Sequence, residues 1–263
     1  MANKKEWWQV HFDDNYLKTY IDITPADLTK LQVNFLISKL NLKPGTKLLD
    51  VACGYGRHAI PLAQKGIEVT GFDYSKKFIN LARQQKQQLK LKNVNFVHGD
   101  MRQLSYKNQF DVAINMFTSF SYFANEAENL KVLQNIYRSL KPRGQFLIDY
   151  VNSARVISSI ISKGKFNKKT ELWELQKKDK QSNGLVVTTK HELDLVNMRS
   201  YMSRFWKEKG RQKSYWTDMR LYSYPELKAL LDQAGFKVKQ TWGGFKGGKL
   251  TQESSRVIML ASK

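Results

Sequence analysis

The stretch at residues 47–59, KLLDVACGYGRHA, decides the fold of this chain. A short apolar run there ends at Asp50 and is followed by two glycines, Gly54 and Gly56. Apolar runs of this length that are bounded by turn residues are typical of buried strands. Glycine tolerates positive φ and lets a ligand approach the backbone closely. The stretch therefore predicts a buried strand that turns sharply beside a ligand.

The glycine spacing alone does not identify that ligand. A P-loop would continue with Gly-Lys-Ser/Thr, but an Arg-His pair follows the second glycine here, so we exclude it. A dinucleotide-binding loop has the pattern Gly-x-Gly-x-x-Gly/Ala and an acidic residue about twenty positions later. Gly54, Gly56 and Ala59 match this pattern loosely, and Asp73 can serve as the acid. The glycine spacing alone therefore does not exclude a nucleotide as the ligand.

Strand and helix patterns alternate with short connections after this loop. Strands are predicted at IEVTGFD, VNFVHGD, FDVAINMF and GQFLIDYVN, and near the C-terminus at KVKQTWGGF and SSRVIMLASK. Helices are predicted at RHAIPLAQKG, at SKKFINLARQQKQQLK with Ser75 as N-cap, at NEAENLKVLQNIYRSLK and at YPELKALLDQAGF. This alternation predicts an α/β fold with a doubly wound, Rossmann-like sheet of seven strands.

Two regions depart from this alternation. In residues 155–220 the segments TELWELQKKDK, GLVVTTKHELDLV and RSYMSRFWKEKG alternate polar and apolar residues, which is typical of antiparallel strands with one solvated face. We therefore predict an antiparallel insertion at 155–220, before the last helix, within a domain formed by residues 43–154 and 221–263. Residues 1–42 are predicted to be helical.

The composition limits the partners and the compartment. The 263 residues include 44 Lys and Arg against 23 Asp and Glu, which gives a formal net charge of +21. Such an excess suits RNA, an anionic membrane surface or an acidic substrate, although the lysines are scattered and no run reaches five. The single cysteine, Cys53, excludes a disulfide framework and a cysteine-rich zinc site. The sequence has no signal-peptide core and no stretch apolar enough for a membrane span, so we expect a cytoplasmic protein.

Five segments, in order, resemble the motifs of the class I S-adenosylmethionine (SAM) methyltransferases. LLDVACGYGRHA resembles motif I, in which an acid precedes the Gly-x-Gly loop, and VTGFDYS resembles motif II. VHGDMRQL, FDVAINMFTSFSYF and SLKPRGQFLIDYV resemble the three segments that follow. The resemblance covers most of residues 45–150 and the terminal helix and two strands. It implies a methyltransferase that binds SAM and needs no metal.

The resemblance also implies roles for individual residues. Asp73 would accept hydrogen bonds from the ribose hydroxyls, and Asp100 from the adenine amino group. Asp50 would orient loop amides or meet the ammonium of the amino acid tail, whose carboxylate suits Arg57. Cys53 is then a small wall residue rather than a nucleophile. The predicted cofactor-binding residues are Tyr20, Asp50, Ala52, Cys53, Gly54, Gly56, Arg57, Asp73, Tyr74, Asp100, Met101, Asn115 and Phe117.

The CGxGRHAxxLA loop and the antiparallel insertion are similar to those of bacterial sugar and glycine/sarcosine-type N-methyltransferases. In these enzymes the N-terminal helix closes over SAM as a lid, and one of its tyrosines approaches the methyl donor. In this chain Phe12, Tyr16 and Tyr20 lie four apart, on one face of the predicted helix, so Tyr16 and Tyr20 are the candidates. The insertion would cap the substrate.

Three residues are predicted to act in catalysis: Tyr16, His191 and Tyr222. His191 is included because the ordinary pKa of histidine suits a general base near neutral pH. A base is not required for every acceptor, however. A neutral amine needs only positioning and desolvation to attack the methyl group.

We therefore predict methyl transfer from SAM to a nitrogen, oxygen or carbon atom of a small molecule, by a monomer or homodimer. Methylation of RNA at a ribose or a ring nitrogen stays open because of the positive charge. Enzymes that methylate exocyclic base amines carry an Asn/Asp-Pro-Pro-Tyr segment where this chain has NMFTSF, which opposes that activity. Methylation at pyrimidine C5 needs a cysteine nucleophile, and the single cysteine, Cys53, lies in the cofactor loop. A basic adaptor without turnover is the remaining alternative, which the retained Asp50, Asp73 and Asp100 oppose.

Overall fold

The described residues of this computed structural model are 6–20 and 22–263, and they begin with three helices. The helices are α1 (Trp7–His11), α2 (Asp14–Tyr20) and α3 (Ala26–Lys39). Residues 1–5 and Ile21, which the predicted helical region includes, lie outside the described residues. Within them, no helix is both long and apolar enough to cross a membrane.

The prediction that Phe12 shares a helix with Tyr16 and Tyr20 is wrong. The chain leaves the helical conformation at Phe12, whose φ and ψ are −87° and 79°. Oδ1 of Asp13 then accepts the N–H groups of Asn15 and Tyr16 at 2.8 and 3.2 Å, so Asp13 begins a new helix. The three aromatic rings still contact one another, with centroids 5.3 Å apart for Phe12–Tyr16 and 4.2 Å apart for Tyr16–Tyr20.

Five parallel strands follow, with three helices between them. They are β1 (Lys47–Val51), α4 (Ala59–Gln64), β2 (Glu68–Asp73), α5 (Lys76–Gln88), β3 (Val94–His98), β4 (Phe110–Asn115), α6 (Glu126–Ser139) and β5 (Leu140–Val151). The apolar residues of these strands are buried, as expected for a parallel sheet covered on both faces. The predicted N-cap is confirmed, because Ser75 Oγ accepts the Phe78 N–H at 3.2 Å.

The insertion contains one helix and five antiparallel strands. They are α7 (Ser153–Lys163), β6 (Lys165–Asn167), β7 (Leu172–Lys180), β8 (Val186–Asp194), β9 (Arg199–Glu208) and β10 (Arg211–Arg220), and the strands pair in sequence order. The helix α7 was not predicted because its sequence, SARVISSIISK, is rich in serine and β-branched residues of modest helix propensity. β6 has only three residues, and β10 has few aliphatic residues to mark it.

The chain then returns to the central sheet through α8 (Tyr224–Gln233), β11 (Lys237–Trp242) and β12 (Arg256–Ser262). The strand order is β11-β12-β5-β4-β1-β2-β3, and β12 runs antiparallel to both of its neighbours. The predicted seven-stranded sheet with an antiparallel insertion before the last helix is confirmed. Ligands of such sheets bind beyond the carboxyl ends of the parallel strands, which fixes where the site is to be found.

Residues 7–20, called here the N-terminal segment, lie between the central sheet and the insertion sheet. On one side, Ser75 Oγ donates to the carbonyl of Phe12 at 2.8 Å. On the other side, the His11 ring lies 4.3 Å from the Tyr215 ring, and the Thr19 and Tyr215 hydroxyls are 3.0 Å apart. The N-terminal segment therefore joins the two sheets across the carboxyl edge.

The same contacts show which face of the insertion sheet is turned inward. Arg204 on β9 stands opposite Thr189 on β8 and Tyr215 on β10, and directly opposite residues share a face. The Arg204 guanidinium lies 4.7 Å from the centre of the Tyr20 ring, and both Arg204 and Trp206 are buried. The face that carries Arg204 and Trp206 therefore packs against the N-terminal segment.

Candidate active site

A cavity lies at the carboxyl ends of β1 to β4, under the N-terminal segment. Ten of the predicted site residues line it: Tyr16, Ala52, Cys53, Gly54, Arg57, Asp73, Tyr74, Asp100, Met101 and Phe117. The topology thus brings together residues that are distant in the sequence.

The glycine loop forms the floor of the cavity. Gly54 has φ of +57° and lines the cavity, and a Cβ there would have only Phe78 within 4 Å, at 3.8 Å. Gly56 has φ of +86° and is buried, and a Cβ there would lie 3.0 Å from both Ile60 and Phe96. The first glycine leaves room for a ligand, whereas the second lets the loop pack on the core.

Asp50 lies beneath this loop and is almost completely buried. Its Oδ2 atom has no hydrogen-bond partner among the described residues. Burial, together with the nearby Asp73 carboxylate, raises the pKa of Asp50 to about 8 against the opposing charge of Arg57. A buried carboxylate oxygen without a donor is costly, so Asp50 can be stabilised by a cationic donor that reaches it.

Asp73 ends β2 and faces the same cavity. Its Oδ2 accepts the Gly54 N–H and its Oδ1 accepts the Ser75 N–H, both at 2.7 Å. Burial raises the pKa of Asp73 to about 6, although the two amide hydrogen bonds favour its charged form. A carboxylate has about four lone-pair sites, so Asp73 can still accept two hydroxyl groups.

Asp100 is already engaged by a residue that the sequence did not single out. Arg102 binds it through the backbone N–H at 2.8 Å and through Nη2 at 2.6 Å. Nη1 of Arg102 also donates to Glu128 at 2.6 Å, and its guanidinium lies 4.6 Å from the Phe123 ring centre. An adenine amino group at Asp100 would therefore share the carboxylate with Arg102.

The loop after β4 is held in a strained conformation beside the cavity. Phe117 and Thr118 have φ of 60° and 59°, which is costly for residues other than glycine. The fully buried Asp149 accepts the Phe117 N–H at 2.9 Å and binds Arg256 Nε at 2.6 Å. Arg256 Nη2 in turn donates to Thr118 Oγ1 at 2.8 Å. Asp149 and Arg256 thus hold in place the wall of the cavity that Phe117 forms. Local sequence patterns did not indicate either residue.

Aromatic side chains dominate the rest of the lining. Trp8, Phe12 and Tyr16 come from the N-terminal segment, and Tyr122 and Phe123 come from the loop before α6. Burial raises the pKa of the Tyr16 phenol well above its ordinary value, so it stays protonated near neutral pH. The aromatic runs EWW and SFSYF were the available signals for the residues that sequence reasoning missed here.

Arg57 is the guanidinium that lines this cavity. Its Nη1 donates to Gln32 Oε1 at 2.6 Å and to Thr29 Oγ1 at 3.1 Å, so α3 positions it. The guanidinium lies 5.0 Å from the centre of the Phe117 ring. Burial lowers the pKa of Arg57, which has no carboxylate partner within residues 6–20 and 22–263. Arg57 is thus oriented and available to an anionic group of a ligand.

Six predicted site residues do not line the cavity. Tyr20 stacks behind Tyr16, and Asp50 and Gly56 lie below the loop. Asn115 is buried and donates from Nδ2 to the carbonyls of Val51 and Ser119, both at 3.1 Å. The two remaining residues, His191 and Tyr222, are the predicted catalytic residues that the structure places elsewhere.

The positions of His191 and Tyr222 bear on their predicted roles. Tyr222 is buried, and its hydroxyl donates to Glu126 at 2.5 Å and accepts from Asn129 at 3.2 Å. His191 is on β8, and burial and the charges of Lys177 and Arg204 lower its pKa to about 4.

Among the residues that the structure describes, no three His, Cys, Asp or Glu side chains form a metal-binding group.

Comparisons with known proteins agree with this geometry. The family described as methyltransferase domain matches residues 42–218. YqeM of Bacillus subtilis, named a methyltransferase, is 25% identical over 82% of this chain and 84% of its own length. The structure of the CcbJ methyltransferase from Streptomyces caelestis superimposes with a TM-score of 0.77 at 18% identity, covering 91% of this chain and 97% of that one. The sugar N-methyltransferase KedS8 from Streptoalloteichus has a TM-score of 0.70 at 17% identity, covering 100% and 98% of the two chains.

Proposed function

This chain belongs to the methyltransferase domain family and is a SAM-dependent methyltransferase, and from that premise we propose that its acceptor is a small molecule. The methyl group would pass to a nitrogen, oxygen or carbon atom by in-line displacement. The sugar N-methyltransferase KedS8 among the similar structures supports this acceptor class.

The residues of the cavity fit SAM. Asp73 retains lone pairs for the two ribose hydroxyls, and the unpaired Oδ2 of Asp50 suits the ammonium of the amino acid tail. Arg57 suits the tail carboxylate, and Tyr74 and Met101, which line the cavity, would flank the adenine. When bound, SAM supplies an electrophilic methyl group on a sulfonium, and aromatic faces can stabilise that cation.

The observation that carries the small-molecule proposal is the aromatic cover of the cavity. Trp8, Phe12, Tyr16, Tyr122 and Phe123 cover it, and the N-terminal segment separates it from the insertion sheet. A groove for an RNA strand would instead combine an open path with cations that follow the backbone. We therefore propose that residues 1–42 act as a lid, that residues 155–220 cap the acceptor indirectly by packing on this lid, and that residues 43–154 and 221–263 bind SAM.

A neutral amine is the acceptor that this lining suits best. Aromatic walls exclude water and hold an apolar or weakly basic molecule, and an amine needs only orientation and desolvation to react. The Tyr16 phenol, which stays protonated, can donate a hydrogen bond that positions the acceptor. We propose that Tyr16 positions the acceptor and that no general base is needed. Tyr222 then supports the fold, because its hydroxyl is already engaged by Glu126 and Asn129.

A screen of methyl transfer tests this proposal. The purified chain is incubated with SAM and with separate panels of amines (amino sugars included), phenols and RNA, and the products are read by mass spectrometry. We expect a small amine to gain one methyl group, and the Asp73→Ala variant serves as a control that lacks a SAM-binding carboxylate. Methylation of RNA alone, with every small molecule unchanged, would contradict the proposal.

A further inference from the structure

The amino edge of the central sheet, on the side away from the cavity, carries two adjoining grooves. One is lined by Lys107, Arg138 and Lys263, and the other by Lys47, Lys86 and Lys92. Asn108 lines the first groove and its neighbour Gln109 the second, so the two lie side by side. We call these six cations and the two grooves the basic edge.

None of the six cations is paired with a carboxylate among the described residues. By contrast, Arg102, which also lines the first groove, is bound to Asp100 and Glu128. Of the carboxylate side chains in the described part of the chain, Glu68 is the one that lines either groove. The basic edge therefore concentrates uncompensated positive charge in two recessed paths.

Helix termini do not account for this charge. Cations are favourable in the last turn of a helix, and this explains Lys86 at the end of α5 and Arg138 at the end of α6. Lys47 begins β1, while Lys92 and Lys107 lie in loops that precede β3 and β4. These three positions gain nothing from a helix dipole, so their charge is available to an anionic partner.

The side chains between the cations favour a single-stranded nucleic acid. The rings of Tyr106 and Tyr137 line the first groove, and Lys263 Nζ lies 4.8 Å from the centre of the Tyr137 ring. Binding without sequence preference combines a cationic groove with aromatic rings on which bases stack. The amides of Asn95, Asn108 and Gln109 add donors and acceptors beside the cations.

We propose that the basic edge binds an RNA or DNA single strand and that this binding is separate from methyl transfer. The strands of the sheet are about five residues long, so the basic edge is roughly 16 Å from the carboxyl edge that holds the cavity. A nucleic-acid strand bound along this edge would not contact Asp73, which ends β2 at the opposite, carboxyl edge. The nucleic acid is then a docking partner of the enzyme, not its acceptor.

The salt dependence of binding tests the proposal. Fluorescence anisotropy with labelled oligo(U) and oligo(dT) of about 16 nucleotides measures the affinity of the full chain between about 0.05 and 0.3 M salt. Six phosphate contacts predict a slope of log K against log salt of about −4, since each contact with a single strand contributes about −0.7. The two probes distinguish RNA from DNA.

A variant with four substitutions, Lys86→Gln, Lys92→Gln, Lys107→Gln and Arg138→Gln, should reduce the slope to about −1.4 and the affinity at about 0.1 M salt by 100-fold or more. Its matched control removes four exposed lysines of the insertion instead: Lys168, Lys169, Lys178 and Lys180, each replaced by Gln. If the first variant fails to fold, Lys92→Gln with Lys107→Gln should still reduce the slope by about 1.4.

Three outcomes would overturn the proposal. They are no binding of either oligonucleotide at low salt, an equal loss in the control variant, and binding to vesicles of anionic lipid with none to the oligonucleotides. Calorimetry with SAM is run on the same variants and should give unchanged heats. Because that readout belongs to the cavity, failure of the docking proposal and failure of the proposed methyl transfer are separately visible.

Discussion

Replacing Asp149 by Asn should disconnect the strained wall of the cavity from the core. Asp149 is fully buried, accepts the Phe117 N–H and pairs with Arg256, whose side chain is 18% exposed. Asparagine keeps one acceptor but removes the charge. Leaving a buried cation unpaired costs about 3–5 kcal/mol, and we reduce this for the partial exposure of Arg256. The free energy of unfolding should therefore fall by about 3 kcal/mol.

A double-mutant cycle with Arg256→Met measures this reasoning directly. Urea unfolding of Asp149→Asn, Arg256→Met and the double variant should show that the double loss is smaller than the sum by about 1–3 kcal/mol, because no charge is left unpaired. Asp232→Asn, which breaks the exposed pair with Lys228, is the control and should cost less than about 1 kcal/mol.

The same variants connect stability to the cofactor. Phe117 and Thr118 hold positive φ at a cost of about 1–2 kcal/mol each, so the loop should relax once Asp149 no longer holds it. Calorimetry should then show SAM affinity lowered about tenfold, which corresponds to roughly 1.4 kcal/mol. The role given to Asp149 would be refuted if the losses in unfolding free energy of the two single variants added up to that of the double variant within about 0.5 kcal/mol and SAM affinity were unchanged.

Three further predictions follow from the site. Asp73→Ala should lower SAM affinity by about 10–100-fold, through loss of charged hydrogen bonds worth about 1.5–3 kcal/mol, and unchanged heats in calorimetry would refute the ribose assignment. The pKa of Asp50 is raised to about 8, so the ligand-free fold binds more protons than the unfolded chain and its stability should fall as the pH rises from about 4 to 8. Asp50→Asn should flatten this fall in denaturant titrations at several pH values, and an equally steep fall in the variant would contradict the prediction. His191→Gln should leave kcat and its pH profile unchanged, because His191 does not line the cavity, and loss of the acidic limb of that profile would restore it as the base.

The fold could be predicted largely because its signals are local. Runs such as KLLDV and FDVAIN are continuous and apolar because both faces of a parallel strand are buried. The break at Phe12 could not be seen in the spacing of Phe12, Tyr16 and Tyr20, since the side chain of Asp13 competes with the helix for the backbone N–H groups.

The site could be predicted where its residues directly follow strands of the sheet, and not where it depends on contacts between residues far apart in the sequence. Asp73 and Gly54 follow strands directly, so their meeting at the carboxyl edge is a consequence of parallel pairing. Arg102 beside Asp100 is close in sequence, but its alignment with the carboxylate depends on packing against Phe123. Arg256 reaches Asp149 across 107 positions of the chain, and no local pattern records such a pair.

The contacts of the N-terminal segment also determine the order in which parts of the fold can form during translation. Its bonds reach far along the chain: Thr19 contacts Tyr215 across 196 positions, and Asn183 donates to the carbonyl of Lys18 across 165. Contacts between residues so far apart in the sequence form late, because chain entropy is lost on closing the loop before the contacts can stabilise the fold. The segment is made before these partners, so the junction between the two sheets can be completed only after β10 has been made.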